Sequence, residues 1–253
     1  MQLPQFEAHA VLEEHHWWFL GRRRIVQTLL REVLPPSKQT RIMDIGCGTG
    51  GLTAFFGKDY SCVGVDPAEE AITFAKQKYP ENTFILGKAP GDVREQFSRA
   101  DAVLLMEVLE HVKEDTAFVH SLIDALKPGA LLFVMAPADP SLWGPHDEGF
   151  EHERRYTDAA FRALWAGKPV ETLLVSHCNA RLYPIAKFAR ALARFKGSSW
   201  GPGDTDLALP MKPLNAVFAA IFGGESHRLQ KALRTQASPY RRGVTLLAVL
   251  QKQ

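Results

Sequence analysis

Cysteine is scarce in this 253-residue chain. The three present, Cys47, Cys62 and Cys178, are odd in number and lack the spacing of a disulfide framework or a zinc site, which favours a reducing, cytoplasmic setting. No apolar run approaches the ~18 residues that a membrane-spanning helix needs. The stretch Met1 to Ala10 has no cationic segment followed by an apolar one, so no secretory leader is expected. Neither sign of charge dominates: the net is +2, which by itself argues neither for nor against nucleic acid. What remains is ordinary for a globular protein, 46% apolar and 23% charged residues, in a chain long enough to bury a full α/β core.

The most informative stretch is Arg41-Ile42-Met43-Asp44-Ile45-Gly46-Cys47-Gly48-Thr49-Gly50-Gly51. A short apolar strand runs straight into a glycine-rich turn, where backbone can approach a ligand because no Cβ stands in the way. In an open parallel sheet such a turn lies at the carboxyl end of a strand, where nucleotides bind. A second short strand, Ser61 to Asp66, ends in an acid 20 residues beyond Gly46, the position at which nucleotide folds place a ribose-binding carboxylate.

The pattern Asp44-x-Gly46-x-Gly48-x-Gly50, followed by Asp66-Pro67, resembles the cofactor-binding core of class I S-adenosylmethionine-dependent methyltransferases. An NAD-dependent oxidoreductase is the alternative, but its glycines usually follow G-x-G-x-x-G. Here the third glycine comes one residue early and an acid precedes the first. The resemblance implies S-adenosyl-L-methionine as cofactor and S-adenosyl-L-homocysteine as product. It gives Asp44 the methionine end and Asp66 the ribose hydroxyls, with Gly46, Cys47, Gly48 and Pro67 around them. The family often places an acid after the third strand to meet the adenine amino group. Here Lys88-Ala89-Pro90 follows that strand, so the adenine is expected against the backbone of Lys88 and Ala89. Asp101 to Met106 reads as a buried parallel strand leading into Glu107-Val108-Leu109-Glu110-His111. That segment resembles the family's post-fourth-strand stretch, in which Met106 and Glu107 would line the cofactor and transfer channel. For His111 a loop-locking hydrogen bond is the favoured reading over a catalytic base.

Residues 9–33 carry helical spacing and end at Pro35-Pro36. Within them His15-His16-Trp17-Trp18-Phe19-Leu20-Gly21-Arg22-Arg23-Arg24 sets aromatics beside arginines. Trp18 is expected to cover the sulfonium, and Arg22 to take the cofactor carboxylate. After the fifth strand, Trp143-Gly144-Pro145-His146-Asp147-Glu148-Gly149-Phe150-Glu151-His152-Glu153-Arg154-Arg155-Tyr156 concentrates titratable groups in a turn-rich loop. His146, Asp147, His152 and Tyr156 are expected to shape the acceptor pocket, with His146 the first choice for a general base. Arg154 and Arg155 either hold an acidic substrate or pair with Glu151 and Glu153. A metal at His146, Asp147 and His152 is disfavoured for want of tight ligand spacing, so no metal is expected. The leader and this loop together resemble a subgroup of class I methyltransferases whose acceptors are mostly unassigned.

The expected architecture is α/β: a doubly wound, seven-stranded, mostly parallel Rossmann-like sheet with a helical insertion between its last two strands. The expected parts are a leader or lid (1–38), a cofactor-binding core (39–177), a basic insertion (178–242) and the final strand (243–253). The insertion holds 11 Lys and Arg against three acids, a net of +8. It should form helices over Tyr183 to Phe195 and Leu214 to Leu233, the second interrupted at Gly223-Gly224, with a connection at 197–213. Its apolar stripe beside basic residues is compatible with a lid, a homodimer contact or peripheral membrane association; a monomer is equally open. No RNA-binding module accompanies these charges, so nucleic acid is not expected. The function implied is methyl transfer to an oxygen or nitrogen of a small or lipid-linked acceptor. Besides the oxidoreductase, a non-catalytic cofactor-binding or membrane-surface partner protein is the other alternative.

Overall fold

The computed structural model describes residues 3–197 and 208–253, with side chains from residue 9 onward. Most of the connection expected at 197–213 therefore lies outside the described residues. The strands are β1 (Arg41–Ile45), β2 (Ser61–Asp66), β3 (Thr83–Leu86), β4 (Ala102–Met106), β5 (Leu131–Pro137), β6 (Val170–Cys178) and β7 (Thr245–Lys252). The α-helices are α1 (Leu3–His15), α2 (Trp17–Val33), α3 (Gly51–Gly57), α4 (Glu69–Lys78), α5 (Arg94–Ser98), α6 (Asp115–Ala125), α7 (Pro145–Gly149), α8 (Asp158–Ala163), α9 (Tyr183–Lys196), α10 (Lys212–Gly223) and α11 (Ser226–Thr235).

The seven strands form one sheet in the order β3-β2-β1-β4-β5-β7-β6. The first five are parallel; β7 runs antiparallel to both β5 and β6. Strand order reverses between β1 and β4, which pair directly, Ile45 beside Leu105. The turns leaving these two strands thus open side by side at the carboxyl edge, the crevice where open α/β sheets hold ligands.

The central strands read as unbroken apolar runs because both faces are covered. Along β4, alternate side chains go to opposite layers. Val103 and Leu105 join a core containing Phe97, Val119, Leu122, Ile123 and Phe161. Ala102, Leu104 and Met106 join another containing Ile25, Leu29, Phe56, Phe222 and Leu229. Of the insertion's helices, α10 and α11 belong to that second layer. Trp17 meets Phe218 and Phe222 edge-on at centroid distances of 5.6 and 6.2 Å. Asn215 accepts the Trp17 N–H (2.8 Å) and donates to the His15 carbonyl (2.7 Å).

Two local features differ from the sequence expectation or sharpen it. The leader is two helices, broken at His16, whose backbone is extended and whose Nδ1 accepts the Trp18 N–H at 3.3 Å. An imidazole can cap a helix start much as Asp or Asn does, and apolar spacing alone does not reveal that break. The second helical stretch of the insertion is interrupted at Gly223-Gly224, giving α10 and α11.

Candidate functional site

A cavity of about 640 Å³ opens at the carboxyl edge between β1 and β4. Its floor is the turn after β1. Gly46, Gly48 and Gly50 all adopt positive φ there (69°, 53° and 83°), a conformation that costs glycine little. A Cβ on Gly46 would come 2.5 Å from Val108 Cγ2, whereas one on Gly48 would meet nothing within 4 Å. The first glycine thus lets the β1 and β4 turns touch, and the second keeps the floor open.

Acids surround this floor. Asp66 accepts the Gly48 N–H at 2.9 Å and the Ala68 N–H at 2.9 Å. Asp44 is 2% exposed and accepts from Thr53 Oγ1 at 2.7 Å. Burial pushes its carboxyl up to about 7, against the opposing pull of Thr53 and Arg22. Glu13, brought in by α1, accepts from Thr49 Oγ1 and the Gly51 N–H. The roof is α2. Trp18, Phe19 and Arg22 all line the cavity, and the Arg22 guanidinium lies 4.7 Å from the Trp18 ring centroid. Arg22 is 7% exposed and its Nε has no hydrogen-bond partner. A buried cationic donor left in that state suits an anionic ligand group.

The expected cofactor residues Trp18, Arg22, Asp44, Gly46, Cys47, Gly48, Asp66, Pro67, Met106 and Glu107 all line this one cavity. Lys88 and Ala89 do not. The Lys88 N–H is instead donated to Asp92 Oδ2 at 2.8 Å, and Ala89 packs against the core.

The expected acceptor residues separate. His146 and His152 line the cavity, with ring centroids 6.0 Å apart and Phe150 beside both. Asp147 is fully buried behind them. Its oxygens take Arg155 Nη1 (2.7 Å), Arg190 Nη1 (2.6 Å), the Gly144 N–H (3.1 Å) and His152 Nδ1 (3.1 Å). Burial alone would raise its carboxyl, but His152 and the two arginines outweigh that and hold it well below the usual range. Asp147 therefore anchors the loop and pairs with His152. Tyr156 also lies outside the cavity, 3% exposed, with its hydroxyl 2.7 Å from Asp115 Oδ2. Burial, then that carboxylate, raises its pKa. Arg154 and Arg155 pair with neither Glu151 nor Glu153. Arg154 bridges Asp115 at 2.6 Å, and Arg155 spends its donors on Asp147, the Ala138 carbonyl and the Val244 carbonyl.

Glu110, which sequence reasoning left without a role, stands close by. Glu110 is 1% exposed, and its carboxyl lies in contact with that of Glu107. Burial pushes both carboxyls upward, and their mutual contact adds to this for Glu110. Among the described residues, Glu110, His111 and His152 bring potential ligand atoms within 4.8 Å of one another. Burial, with His152 beside it, drops His111 to about 4. The signal was the i, i+3, i+4 spacing of Glu107, Glu110 and His111 in one tight turn. Its meaning depended on His152, which only the fold supplies.

A family model described as a methyltransferase domain matches residues 17–195, more than half of the chain. This protein belongs to that methyltransferase family. The matched stretch runs from the aromatic leader through α9, so it contains the glycine turn, both β-edge acids and the histidine loop. Ubiquinone biosynthesis O-methyltransferase of Methylobacterium nodulans is 37% identical over 102 residues, covering 39% of this chain and 41% of that one. The Caulobacter vibrioides enzyme of the same name is 30% identical over 104 residues, with 39% and 41% covered. The chain thus spans about two fifths of the length of these relatives. The fold is shared with the plantazolicin methyltransferase BamL, crystallised with a triazolic desmethylPZN analog and SAH. The TM-score is 0.56 at 15% identity, over 92% of this chain and 85% of that one.

Proposed function

We propose that this chain transfers a methyl group from S-adenosylmethionine to an oxygen or nitrogen of a small or lipid-linked acceptor. The observation that carries this reading is the division of one cavity into two chemical halves. One half is the glycine floor with Asp44 and Asp66 below a buried arginine; the other carries His146 and His152 with Phe150. Support comes from the family, and from the names of the relatives, which are O-methyltransferases.

In this reading Asp66, already oriented by Gly48 and Ala68, keeps free lone pairs for two ribose hydroxyls. Arg22 takes the donor's carboxylate, and Asp44 takes the positive charge of its methionine end. When bound, the donor supplies a methyl carbon made electrophilic by its sulfonium, so the protein's task is alignment and water exclusion. Trp18 and Phe19 cover the site. His146 stands where it can receive the acceptor's proton. Leader and insertion together form the roof: Ile185, Ala186 and Ala189 of α9 line the cavity on one side. On its other side α9 exposes Phe188 (73%) and Phe195 (89%), a combination that suits an apolar or lipid-linked acceptor. Among the described residues no helix is long and apolar enough to cross a membrane, so contact with lipid would be peripheral.

Thermal-shift titration separates this reading from the oxidoreductase. S-adenosylmethionine and S-adenosylhomocysteine should both raise the melting temperature while NAD leaves it unchanged; stabilisation by NAD alone would overturn the proposal. Once an acceptor is found, His146→Ala should lower kcat far more than donor affinity. Equal losses in both would remove His146 as base.

A further inference from the structure

The end of the cavity away from the donor floor is built where β5, β7 and β6 stop. The ladder sets Pro137 opposite Thr245 and Thr245 opposite Cys178, so these residues form one row at the carboxyl edge. Asn179 follows Cys178 directly, and Pro137, Thr245 and Asn179 all line the cavity. From β4 to β6 is three strand steps, about 14 Å at the usual sheet spacing. A group held at Asn179 thus stands a small molecule's length from one beside the β4 turn.

Asn179 has a left-handed backbone, φ 53°, which asparagine tolerates better than most residues other than glycine. Behind it the turn is held by Glu225, which is fully buried and accepts the Ala180 and Arg181 N–H groups at 2.9 Å each. The backbone of the turn is therefore secured without the Asn179 side chain. Asparagines in turns ordinarily satisfy their carboxamide on nearby backbone. Asn179 does not: it is 1% exposed and its Oδ1 has no hydrogen-bond partner, a costly state for a buried acceptor.

Leu182, with Ala186 and Ala189 of α9, and Val244 supply apolar wall at this end. The charged groups that line the cavity on this side are cationic. Arg155 donates to the Val244 carbonyl at 3.1 Å, and Arg190 follows Ala189 on α9. An ammonium group is repelled there, whereas a hydroxyl can donate to Oδ1 without bringing a charge.

We propose that Asn179 anchors a distal acceptor subsite, its Oδ1 accepting a hydrogen bond from an uncharged hydroxyl at the end of the acceptor opposite the methylated atom. The acceptor is then a molecule with an apolar middle, packed on Leu182 and Ala186, and a polar group at each end. One is read by Asn179 and the other is presented to the donor near His146. This inference rests on the methyl-transfer reading and deepens it, because a distal anchor fixes the orientation in which the acceptor meets the methyl group. Asn179 determines specificity; no bond is made or broken at it.

The test uses the full chain and two probes, para-(ω-hydroxybutyl)phenol and para-butylphenol, which share a phenol and an apolar middle and differ in the distal hydroxyl. Each is titrated calorimetrically with and without saturating S-adenosylhomocysteine. The wild type should bind the hydroxyl-tipped probe about tenfold more tightly. Asn179→Gly suits the positive φ and removes the carboxamide. It should erase that preference while keeping a cooperative melt and the wild-type affinity for S-adenosylmethionine. Asn179→Asp, whose carboxylate still accepts, should retain the preference. A role confined to shaping the turn would weaken both probes together and leave their ratio intact. Equal affinities in the wild type, a preference that survives Asn179→Gly, or no binding of either probe would overturn the subsite. S-adenosylmethionine binding without the preference overturns the subsite alone and leaves methyl transfer standing. The preference without S-adenosylmethionine binding supports the subsite and overturns methyl transfer.

Discussion

Three aspartates show how environment alone assigns different tasks to one side chain. Asp66, at a strand end, is oriented by two backbone N–H groups. Asp66→Ala should weaken donor binding by about 10- to 100-fold, the value of hydrogen bonds to a charged group. Asp44 is pushed by burial to about 7. The folded chain keeps that proton over the interval from the ordinary carboxylate range up to about 7, where the unfolded chain has lost it, so this group's contribution to stability falls as pH rises. A cationic ligand favours the ionised form. Donor affinity should therefore climb with pH to about 7 and then level off, and Asp44→Asn should flatten that slope in calorimetric titrations. Asp147 behaves oppositely. Burial works against its charge, but His152, Arg155 and Arg190 depress its pKa. Its stabilisation is thus present above the ordinary carboxylate range and is lost as pH falls through it. Asp147→Ala removes the carboxylate that two buried guanidiniums share and should cost roughly 3–5 kcal/mol, read as a lowered melting temperature. Asp44 and Asp66 were legible because they sit at fixed offsets from a glycine turn. Asp147 was legible only as a polar loop residue; that it anchors Arg190 of α9, 43 positions on, is a tertiary fact.

Helices carry the next level of the argument, and here the sequence was clear about existence and less so about ends. Apolar runs mark the central strands, because burial on both faces is written in the local sequence. The break at His16 was not visible, since it depends on a side-chain cap and on α10 packing across Trp17. The α2–α10 contact is close enough to test. A Cβ on Gly21 would lie 2.3 Å from Phe222 Cδ1, and Phe222 is fully buried. Gly21→Ala should therefore lower stability by about 1–3 kcal/mol through overpacking, with donor affinity falling as α2 shifts, both read by melting and calorimetry. The outward face of α9 makes the opposite prediction. Phe188→Ser with Phe195→Ser should leave the melting temperature within about 2 °C, since both rings are solvent-exposed. If α9 contacts lipid, the pair should also reduce co-sedimentation with anionic vesicles at low salt, and wild-type protein that fails to sediment would remove that role.

At the scale of the molecule, the doubly wound sheet places everything chemical at one edge, where the turns of β1 and β4 meet. The glycine spacing together with the trailing acid pointed to that edge, because the two at this separation match a nucleotide-binding strand–turn–helix. The acceptor side was less legible. It is assembled from the β4 turn, the loop after α7 and α9, which are distant in sequence, and its most exposed apolar side chains face away from the core. The account as a whole stands on the donor pocket. Calorimetric titration of the purified full chain with S-adenosylmethionine, repeated on Asp66→Ala and with NAD as control, tests it most directly. The account predicts stoichiometric binding of the donor, strongly weakened in the variant, and no binding of NAD. Donor binding absent from the wild type, or undiminished by Asp66→Ala, would contradict it.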